Sequence, residues 1–279
     1  MTRIITDSAA DLELPAAAAM QITIVPLTIR FGTEIYRDRV DLCADDFYRR
    51  LIESDELPST SQINPYDFQS VFQEVRQAHD TAVVITLSSR LSGTWQSAVT
   101  AAADYPEIHV VDSRSVTVGE QCLVRLAARL RDQGMDAGMI ASHLEEKRDS
   151  LVTIALLDTL EYLKRGGRIS AASALLGGLL VLKPVIAVRD GGIEVIGKAR
   201  GSRSGSNLLI QEIQGGGIDF SMPIALGYTG LDRTLLDKYI ADSSAIWQDH
   251  SENLPISQIG SAIGTHGGPG AIAIGFFRP

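Results

Sequence analysis

The chain has 279 residues, 45% of them hydrophobic and 21% charged, a composition typical of a soluble globular protein with one large domain or two. Its formal net charge of −9 argues against a nucleic-acid partner, which requires a basic surface. The two cysteines, Cys43 and Cys122, are too few for a metal cluster or a disulfide framework, and we expect both to be reduced. We find no signal-peptide pattern and no bilayer-spanning apolar segment, and therefore expect a cytoplasmic protein without stable membrane insertion.

Strands and helices alternate in the first half of the chain. Residues 4–6 are predicted as one strand and residues 22–29 as a second, which Pro26 places at a sheet edge or ends. A polar loop is predicted at 58–62. The other predicted elements are helices at 45–52, 65–79, 98–103, 118–133 and 137–147 and strands at 82–86 and 108–113. This alternation, which contains no repeat, predicts a parallel α/β sheet.

The second half carries a β-hairpin signal. Asp190-Gly191-Gly192 separates two apolar runs, 183–188 and 193–196, and this pattern predicts an antiparallel pair within a mixed sheet. The other predicted elements are strands at 151–157, 223–228 and 256–263, helices at 159–164, 170–180, 202–214 and 231–245, a glycine-rich loop at 264–270 and an apolar run at 271–277. We therefore predict a two-domain α/β protein, with residues 1–150 carrying the parallel sheet and residues 151–279 the mixed sheet.

Hydroxyls and a glycine follow the most apolar strand of the first half. Residues 87–98 lie between the strand at 82–86 and an alanine-rich helix, and they include Ser89, Ser92 and Gly93. Ligands of open parallel sheets bind at the carboxyl ends of the strands, and a helix N-terminus favours an anion. The sequence therefore predicts an anion site at this turn, with helix capping by Ser89 or Ser92 as the alternative.

Four further polar stretches fall on predicted loops. They lie at 59–62, 165–168, 198–203 and 264–270, and they contain Thr60 with Ser61, Arg165 with Arg168, a basic cluster of Lys198, Arg200 and Arg203, and His266. Taken singly, each stretch is also typical of turn residues or of charges exposed to solvent. This alternative is weakest for His266. Together they predict an anion held by hydroxyls, with arginines and a histidine close by. The sequence contains no phosphate loop, no dinucleotide fingerprint, no nucleophile elbow and no CxxC metal spacing. The residues leave open whether the anion is a carboxylate or a phosphate.

The order and spacing of seven short motifs resemble those of the DegV family along essentially the whole chain. The motifs are Thr6-Asp7-Ser8, Thr60-Ser61-Gln62, residues 87–94, Val111-Asp112-Ser113, Tyr162-Leu163 with Gly166-Gly167-Arg168-Ile169, Lys183-Pro184, and His266-Gly267-Gly268-Pro269-Gly270. The resemblance implies a two-domain α/β protein that buries one long-chain fatty acid and has no resident cofactor or metal. Some members serve as the lipid-carrying subunit of bacterial fatty acid kinase, whose separate kinase subunit makes the acyl phosphate.

The resemblance also implies roles for individual residues. It makes Thr60 and Ser92 the hydroxyls that hold the fatty-acid carboxylate and places Arg168, Arg200 and His266 near the carboxyl end, where they could orient it or meet the kinase. Arg200, with Arg203 as a near alternative, is expected to meet the partner or the phosphoryl group. Two positions depart from the family pattern, Ile63-Asn64 where many relatives have Pro-Ser and Trp95 where tyrosine is common.

The implied ligand agrees with simple physical chemistry, although other functions stay open. A buried carboxylate needs hydrogen bonds or a cation, and an acyl tail needs an apolar tunnel, which the small-residue helix at 171–180 could line. Plain core packing is the alternative for that helix. The alternative functions are a serine hydrolase or transferase, with Ser92 as nucleophile, His266 as base and Asp112 as a guessed third member, and a lipid-responsive regulatory protein. The preferred acyl chain, the presence of a kinase partner and the oligomeric state do not follow from the sequence.

Overall fold

Three β-sheets organise the chain in the computed structural model, which describes residues 1–54, 57–169, 182–247, 250 and 253–279. The strands are β1 (Thr2–Asp7), β2 (Ile22–Val25), β3 (Thr28–Phe31), β4 (Glu34–Arg37), β5 (Ser59–Ser61), β6 (Thr81–Thr86), β7 (Ile108–Asp112), β8 (Leu151–Leu156), β9 (Leu182–Arg189), β10 (Gly192–Arg200), β11 (Ala225–Tyr228), β12 (Ile256–Gln258) and β13 (Ile272–Phe277). The described helices are α1 (Leu14–Ala19), α2 (Ala44–Glu53), α3 (Pro65–Gln77), α4 (Thr94–Ala102), α5 (Val118–Asp132), α6 (Ala137–Lys147), α7 (Glu161–Arg165), α8 (Gly201–Gly216), α9 (Thr234–Asp242), α10 (Ser244–Trp247) and α11 (Ser261–Gly267).

The parallel sheet has the strand order β2-β1-β6-β7, and all of its neighbouring strands run parallel. Alternate residues of β6 point to opposite faces, so that Val83 and Ile85 pack with α5 and α6, whereas Ala82 and Val84 pack with α3 and α4. Because helices cover both faces, the central strands are apolar on both sides. The sequence therefore shows β6 as a continuous apolar run rather than an alternating one.

The mixed sheet has the strand order β10-β9-β8-β13-β11-β12, in which only the β11–β12 pair is parallel. The predicted hairpin is confirmed as β9 and β10, and its turn residues Asp190 and Gly191 have φ values of 47° and 78°. Two consecutive positive φ values are what a tight hairpin turn requires. The strands extend further than predicted, because β10 continues to Arg200.

A small antiparallel sheet, β4-β3-β5, was not predicted. The predicted strand at 22–29 divides at Pro26, so that β2 forms an edge of the parallel sheet and β3 belongs to the small sheet. The segment predicted as a polar loop at 58–62 contains β5, whose Thr60 lies opposite Ile29. Polar residues are acceptable in such a short edge strand because β3 is its one neighbour among the described strands.

Further predictions were wrong near the end of the chain. The predicted strand at 256–263 ends at Gln258, and α11 begins at Ser261 and includes four residues of the loop predicted at 264–270. The helix predicted at 231–245 divides into α9 and α10. The helix predicted at 170–180, with the proposed tunnel-lining segment 171–180, lies outside the described residues. Even so, the predicted fold class is confirmed, since the parallel sheet precedes residue 113 and the mixed sheet follows residue 150.

Candidate functional site

An apolar cavity lies between the first and second halves of the chain. It encloses about 950 Å³ of empty space, the solvent at its mouth included. Its apolar lining includes Leu27, Leu87, Leu91 and Val116 from the first half and Leu157, Leu163, Ile186, Val188, Ile193, Ile259 and Ile263 from the second. Four of the predicted site residues, Thr60, Ser92, Arg168 and His266, line this same cavity. The structure thus brings together side chains that are up to 206 positions apart in the sequence.

Thr60 reaches the cavity from the small sheet. Its pairing opposite Ile29 fixes the direction of β5, and its hydroxyl Oγ1 lies 2.9 Å from Nε2 of His266. A hydroxyl can donate one hydrogen bond and accept two, so Thr60 can bind His266 and still contact a ligand. This pair joins the two halves of the chain at the cavity wall.

Ser92 reaches the cavity from the loop between β6 and α4. Its Oγ lies 2.9 Å from Oγ1 of Thr94 and accepts a hydrogen bond from the Thr94 backbone N–H at 3.2 Å. Of the two capping candidates, Ser89 is not a cap, because its hydroxyl donates to Asp112. The N-cap position is Gly93, which has no side chain, and Ser92 supplies the acceptor for the N–H of Thr94, the first residue of α4. Ser92 is therefore held by its own loop, with its hydroxyl at the cavity.

The strand of Thr60 and the loop of Ser92 interlock, a contact that the sequence analysis missed. A Cβ on Gly93 would lie 2.0 Å from Oε1 of Gln62, so the side chain of Gln62 occupies the space that glycine leaves open. Nε2 of Gln62 donates to the Ser97 hydroxyl at 3.0 Å, and the Ile63 N–H donates to Oγ1 of Thr94 at 3.3 Å. Gln62 and Gly93 both belong to motifs quoted above, but only the folded chain shows that their contact fixes the separation of the Thr60 and Ser92 hydroxyls.

His266 lies in the last turn of α11 rather than in the predicted loop. Its ring packs on Gly166, where a Cβ would lie 2.1 Å from Nδ1. Burial, together with the nearby charge of Arg168, lowers the pKa of His266 to about 4. The imidazole is consequently neutral at pH 7, and it acts there as a hydrogen-bonding group rather than as a cation.

The geometry does not assemble the triad of a serine hydrolase. Nε2 of His266 meets Thr60 rather than Ser92, and Nδ1 is buried without a hydrogen-bond partner among the residues that the structure describes. The carboxylate of Asp112 accepts hydrogen bonds from Ser89 and from the Arg114 N–H. A base of this kind needs a third group that orients it, and Asp112 is engaged elsewhere.

Arg168 bridges two loops at the cavity. Its Nε donates to the Leu91 carbonyl at 3.2 Å and its Nη1 to the Gly166 carbonyl at 2.5 Å. Burial lowers the pKa of the guanidinium, which is nevertheless charged at neutral pH. Arg168 therefore brings a positive charge to the cavity wall and also links the Ser92 loop to the turn beneath His266.

The basic cluster lies at the junction of β10 and α8. Arg200 ends β10, Arg203 lies in the first turn of α8, and both side chains are exposed, as is that of Lys198. Within the described ranges, neither arginine lines the cavity or forms an ion pair. The structure thus leaves both arginines accessible to solvent.

Other polar motif residues organise the loops. The buried carboxylate of Asp7 accepts hydrogen bonds from the N–H groups of Ala9 at 2.9 Å and Leu87 at 2.8 Å, and so fixes the start of the Ser92 loop. Burial raises the pKa of Asp7 to about 7. The Ser88 hydroxyl donates to the Gly191 carbonyl at 2.7 Å and fastens the hairpin tip to the same loop. These residues act on the site through the backbone.

Comparison with known families identifies the chain. The family model described as "Uncharacterised protein, DegV family" matches residues 1–278. The chain belongs to the DegV family. The DegV domain-containing protein TTE1491 of Caldanaerobacter subterraneus subsp. tengcongensis is 36% identical over 277 residues, which cover 98% of this DegV chain and 97% of that protein. A DegV domain-containing protein of Deinococcus radiodurans is 32% identical, with 97% and 96% covered.

Solved DegV structures share the fold along the full length of this chain. A Thermus thermophilus structure, described as fatty acid binding of a DegV family protein, matches with a TM-score of 0.89 at 29% identity, covering 100% of this chain and 99% of that one. A stearic-acid-binding protein of Eubacterium ventriosum matches with a TM-score of 0.87 at 28% identity, covering 100% and 98%. DegV of Bacillus subtilis, a fatty acid binding protein, gives 0.84 at 28%, covering 100% and 99%. These matches confirm the DegV resemblance and the predicted fold class.

The described residues also bear on metal binding and membrane insertion. No group of three or more His, Cys, Asp or Glu side chains that could hold a metal ion occurs in the described part of the DegV chain. Over the same residues, we find no helix with the length and apolar character needed to cross a bilayer.

Proposed function

We propose that this chain binds one long-chain fatty acid in the cavity, with the carboxylate held by the hydroxyls of Thr60 and Ser92. The observation that carries the proposal is the placement of Thr60, Ser92, Arg168 and His266 on one otherwise apolar cavity. The relatives named for fatty acid binding, at 28–29% identity over the whole chain, support the same ligand.

The polar groups match the needs of a buried carboxylate. Each hydroxyl can donate one hydrogen bond, and Arg168 provides the opposite charge without which a buried anion would be very unfavourable. In the proposed arrangement Nε2–H of neutral His266 donates to Oγ1 of Thr60, which leaves the Thr60 proton free for the carboxylate. In this tautomer Nδ1 of His266 carries no proton and faces no hydrogen-bond partner among the described residues.

The apolar walls match the needs of an acyl chain. Each methylene removed from water contributes about 0.8 kcal/mol, so ten buried methylenes contribute about 8 kcal/mol. Each hydroxyl hydrogen bond to the carboxylate contributes roughly 1.5–3 kcal/mol, and together they fix which end of the lipid faces the polar residues. The proposed ligand would therefore bind tightly and in one orientation.

The exposed basic cluster supports a role beyond storage. We propose that the chain presents the carboxylate to a separate fatty acid kinase, with Arg200 and Arg203 meeting that partner or the phosphoryl group. Guanidinium groups suit this task because they pair with phosphate oxygens and stay charged. The chain would act as a cytoplasmic carrier without catalysis or a cofactor of its own. Its two domains would divide near Ser150, with the lipid between them.

Mass spectrometry of the purified chain tests the proposal. Native spectra should show a mass increment of one long-chain fatty acid, and solvent extraction after denaturation should release it at about one per chain. A fluorophosphonate probe, which reacts with activated serines, should leave Ser92 unmodified. Folded protein that carries no lipid and fails to bind added oleate would refute fatty acid binding, and covalent labelling of Ser92 would favour the hydrolase.

A further inference from the structure

The start of α11 is held by two carboxylates from the opposite half of the chain. Gly260, which precedes α11, has no side chain with which to cap it. Instead, the carboxylate of Asp38 accepts hydrogen bonds from the Ser261 N–H at 3.1 Å and from the Ser261 hydroxyl. The carboxylate of Asp11 accepts one from the Gly260 N–H at 2.7 Å. Both carboxylates therefore supply the acceptors and the negative charge that the first turn of a helix favours.

This clamp, formed by Asp11, Asp38 and Arg39, is buried. Asp11 is 0% exposed and Asp38 is 1% exposed. Arg39 lies beside them, with Nη2 3.1 Å from Oδ1 of Asp11 and 2.7 Å from the Gln258 carbonyl. One oxygen of each carboxylate has no hydrogen-bond partner in the described structure. Burial of two carboxylates with a single arginine is energetically unfavourable. A Cβ at position 260 would lie 3.0 Å from Nε of Arg39, so the clamp also fills the space that a capping side chain there would need.

α11 transmits the position of the clamp to the cavity. Its middle lies against α2, where a Cβ on Gly264 would be 2.5 Å from the Tyr48 hydroxyl, and that hydroxyl donates to the Ile259 carbonyl at 2.9 Å. Its last turn carries His266, which meets Thr60 at 2.9 Å. A slip of one residue at the start of a helix moves a later side chain by about 1.5 Å and turns it by about 100°. The first residues of α11 thus set where the imidazole lies.

We propose that Asp38 and Asp11 are positioning residues for His266: by holding the first residues of α11, they keep the imidazole against Thr60 at the polar end of the cavity. The inference rests on the proposed fatty-acid function and extends it to two residues that do not line the cavity. It gives a role to the buried and energetically unfavourable carboxylates at the start of α11. It also accounts for the wrong prediction of a strand at 256–263, because the helix start depends on residues more than 200 positions away.

The test compares variants of the full chain loaded with oleate. Asp38→Ala should shift the ¹⁵N resonance of Nε2 in His266 and raise the oleate dissociation rate roughly tenfold, since it displaces a group that supports a charge-assisted hydrogen bond. Asp38→Asn keeps one acceptor oxygen for Ser261 and should stay close to the wild-type rate. In a His266→Gln background, Asp38→Ala should add little, because coupled residues are not additive.

Asp136→Ala provides the matched control. It removes the side-chain cap of α6, where Asp136 accepts from the Met139 N–H at 2.9 Å, and should lower the melting temperature without moving the His266 resonance. Should Asp38→Ala fail to fold, Ser261→Ala, which removes one hydroxyl, replaces it. An unchanged His266 resonance and an unchanged oleate rate in the clamp variants would overturn the positioning role. A displaced resonance in a chain that binds no oleate would support positioning and refute the proposed function.

Discussion

Replacement of Thr60 by valine isolates the hydroxyl that we assign to the carboxylate. Valine keeps the β-branched shape that suits β5 and removes the hydrogen bond to the ligand. A hydrogen bond to a charged group contributes roughly 1.5–3 kcal/mol, so the dissociation constant should rise roughly 10- to 150-fold. In the proposed arrangement the Thr60–His266 hydrogen bond, at 2.9 Å, forms in the free and the bound protein alike, so its loss largely cancels from the affinity.

Displacement of a fluorescent fatty acid by oleate measures this effect. Thr28→Val is the matched control, because Thr28 belongs to the same small sheet, lies opposite Ser61 and is not among the described residues that line the cavity. Thermal unfolding of both variants establishes that the sheet is intact. If Thr60→Val binds oleate as tightly as Thr28→Val, the carboxylate lies elsewhere and the assignment of the polar end is refuted.

The remaining predictions concern the interlocked loops, the basic cluster and a buried acid. Gly93→Ala should displace the side chain of Gln62 and lower the free energy of unfolding by about 1 kcal/mol, because the hydrogen bond from Gln62 to Ser97 is lost. It should also weaken oleate binding, which a fluorescence titration measures; wild-type affinity would contradict the interlock. Arg200→Ala should keep the lipid but lower acyl-phosphate formation about tenfold with a cognate kinase and ATP, whereas outright loss of lipid would place the arginine in the pocket. Burial raises the pKa of Asp7 to about 7, so the folded chain binds the proton of this carboxyl more tightly than the unfolded chain does. The protonated group therefore stabilises the folded state by up to roughly 4 kcal/mol below pH 4, and this contribution is lost as the pH rises to 7. In Asp7→Asn, chemical denaturation between pH 4.5 and 8 should show this part of the pH dependence removed; an unaltered profile would count against the raised pKa.

Local patterns in the sequence predicted most of the fold. The Asp190-Gly191 turn needs two positive φ values, and the apolar run of β6 needs two covered faces, so both signals are contained within a few residues. The small sheet and α11 could not be predicted this way. Their formation depends on pairing between Ile29 and Thr60 and on the capping of Ser261 by a distant carboxylate.

For the candidate site, the sequence indicated which residues take part but not how they are arranged. The DegV motifs indicated Thr60, Ser92, Arg168 and His266, and the structure places all four on one cavity, although their roles in lipid binding stay predictions. The motifs did not indicate that Gln62 fills the space above Gly93, because an interlock of this kind depends on atoms rather than on residue types. Nor could they indicate the neutral state of His266, which follows from burial in the folded chain.

The helix α5 has a consequence for how the protein folds. It packs against β1 and β6 of the parallel sheet and against β11 and β13 of the mixed sheet, so closely that a Cβ on Gly275 would lie 2.6 Å from the Val118 carbonyl. A fragment that ends near Ser150 would leave one apolar side of this helix in water, and a fragment that begins there would lack its central helix. Neither half is expected to be stable by itself, and the chain should unfold in a single cooperative transition despite its two large sheets.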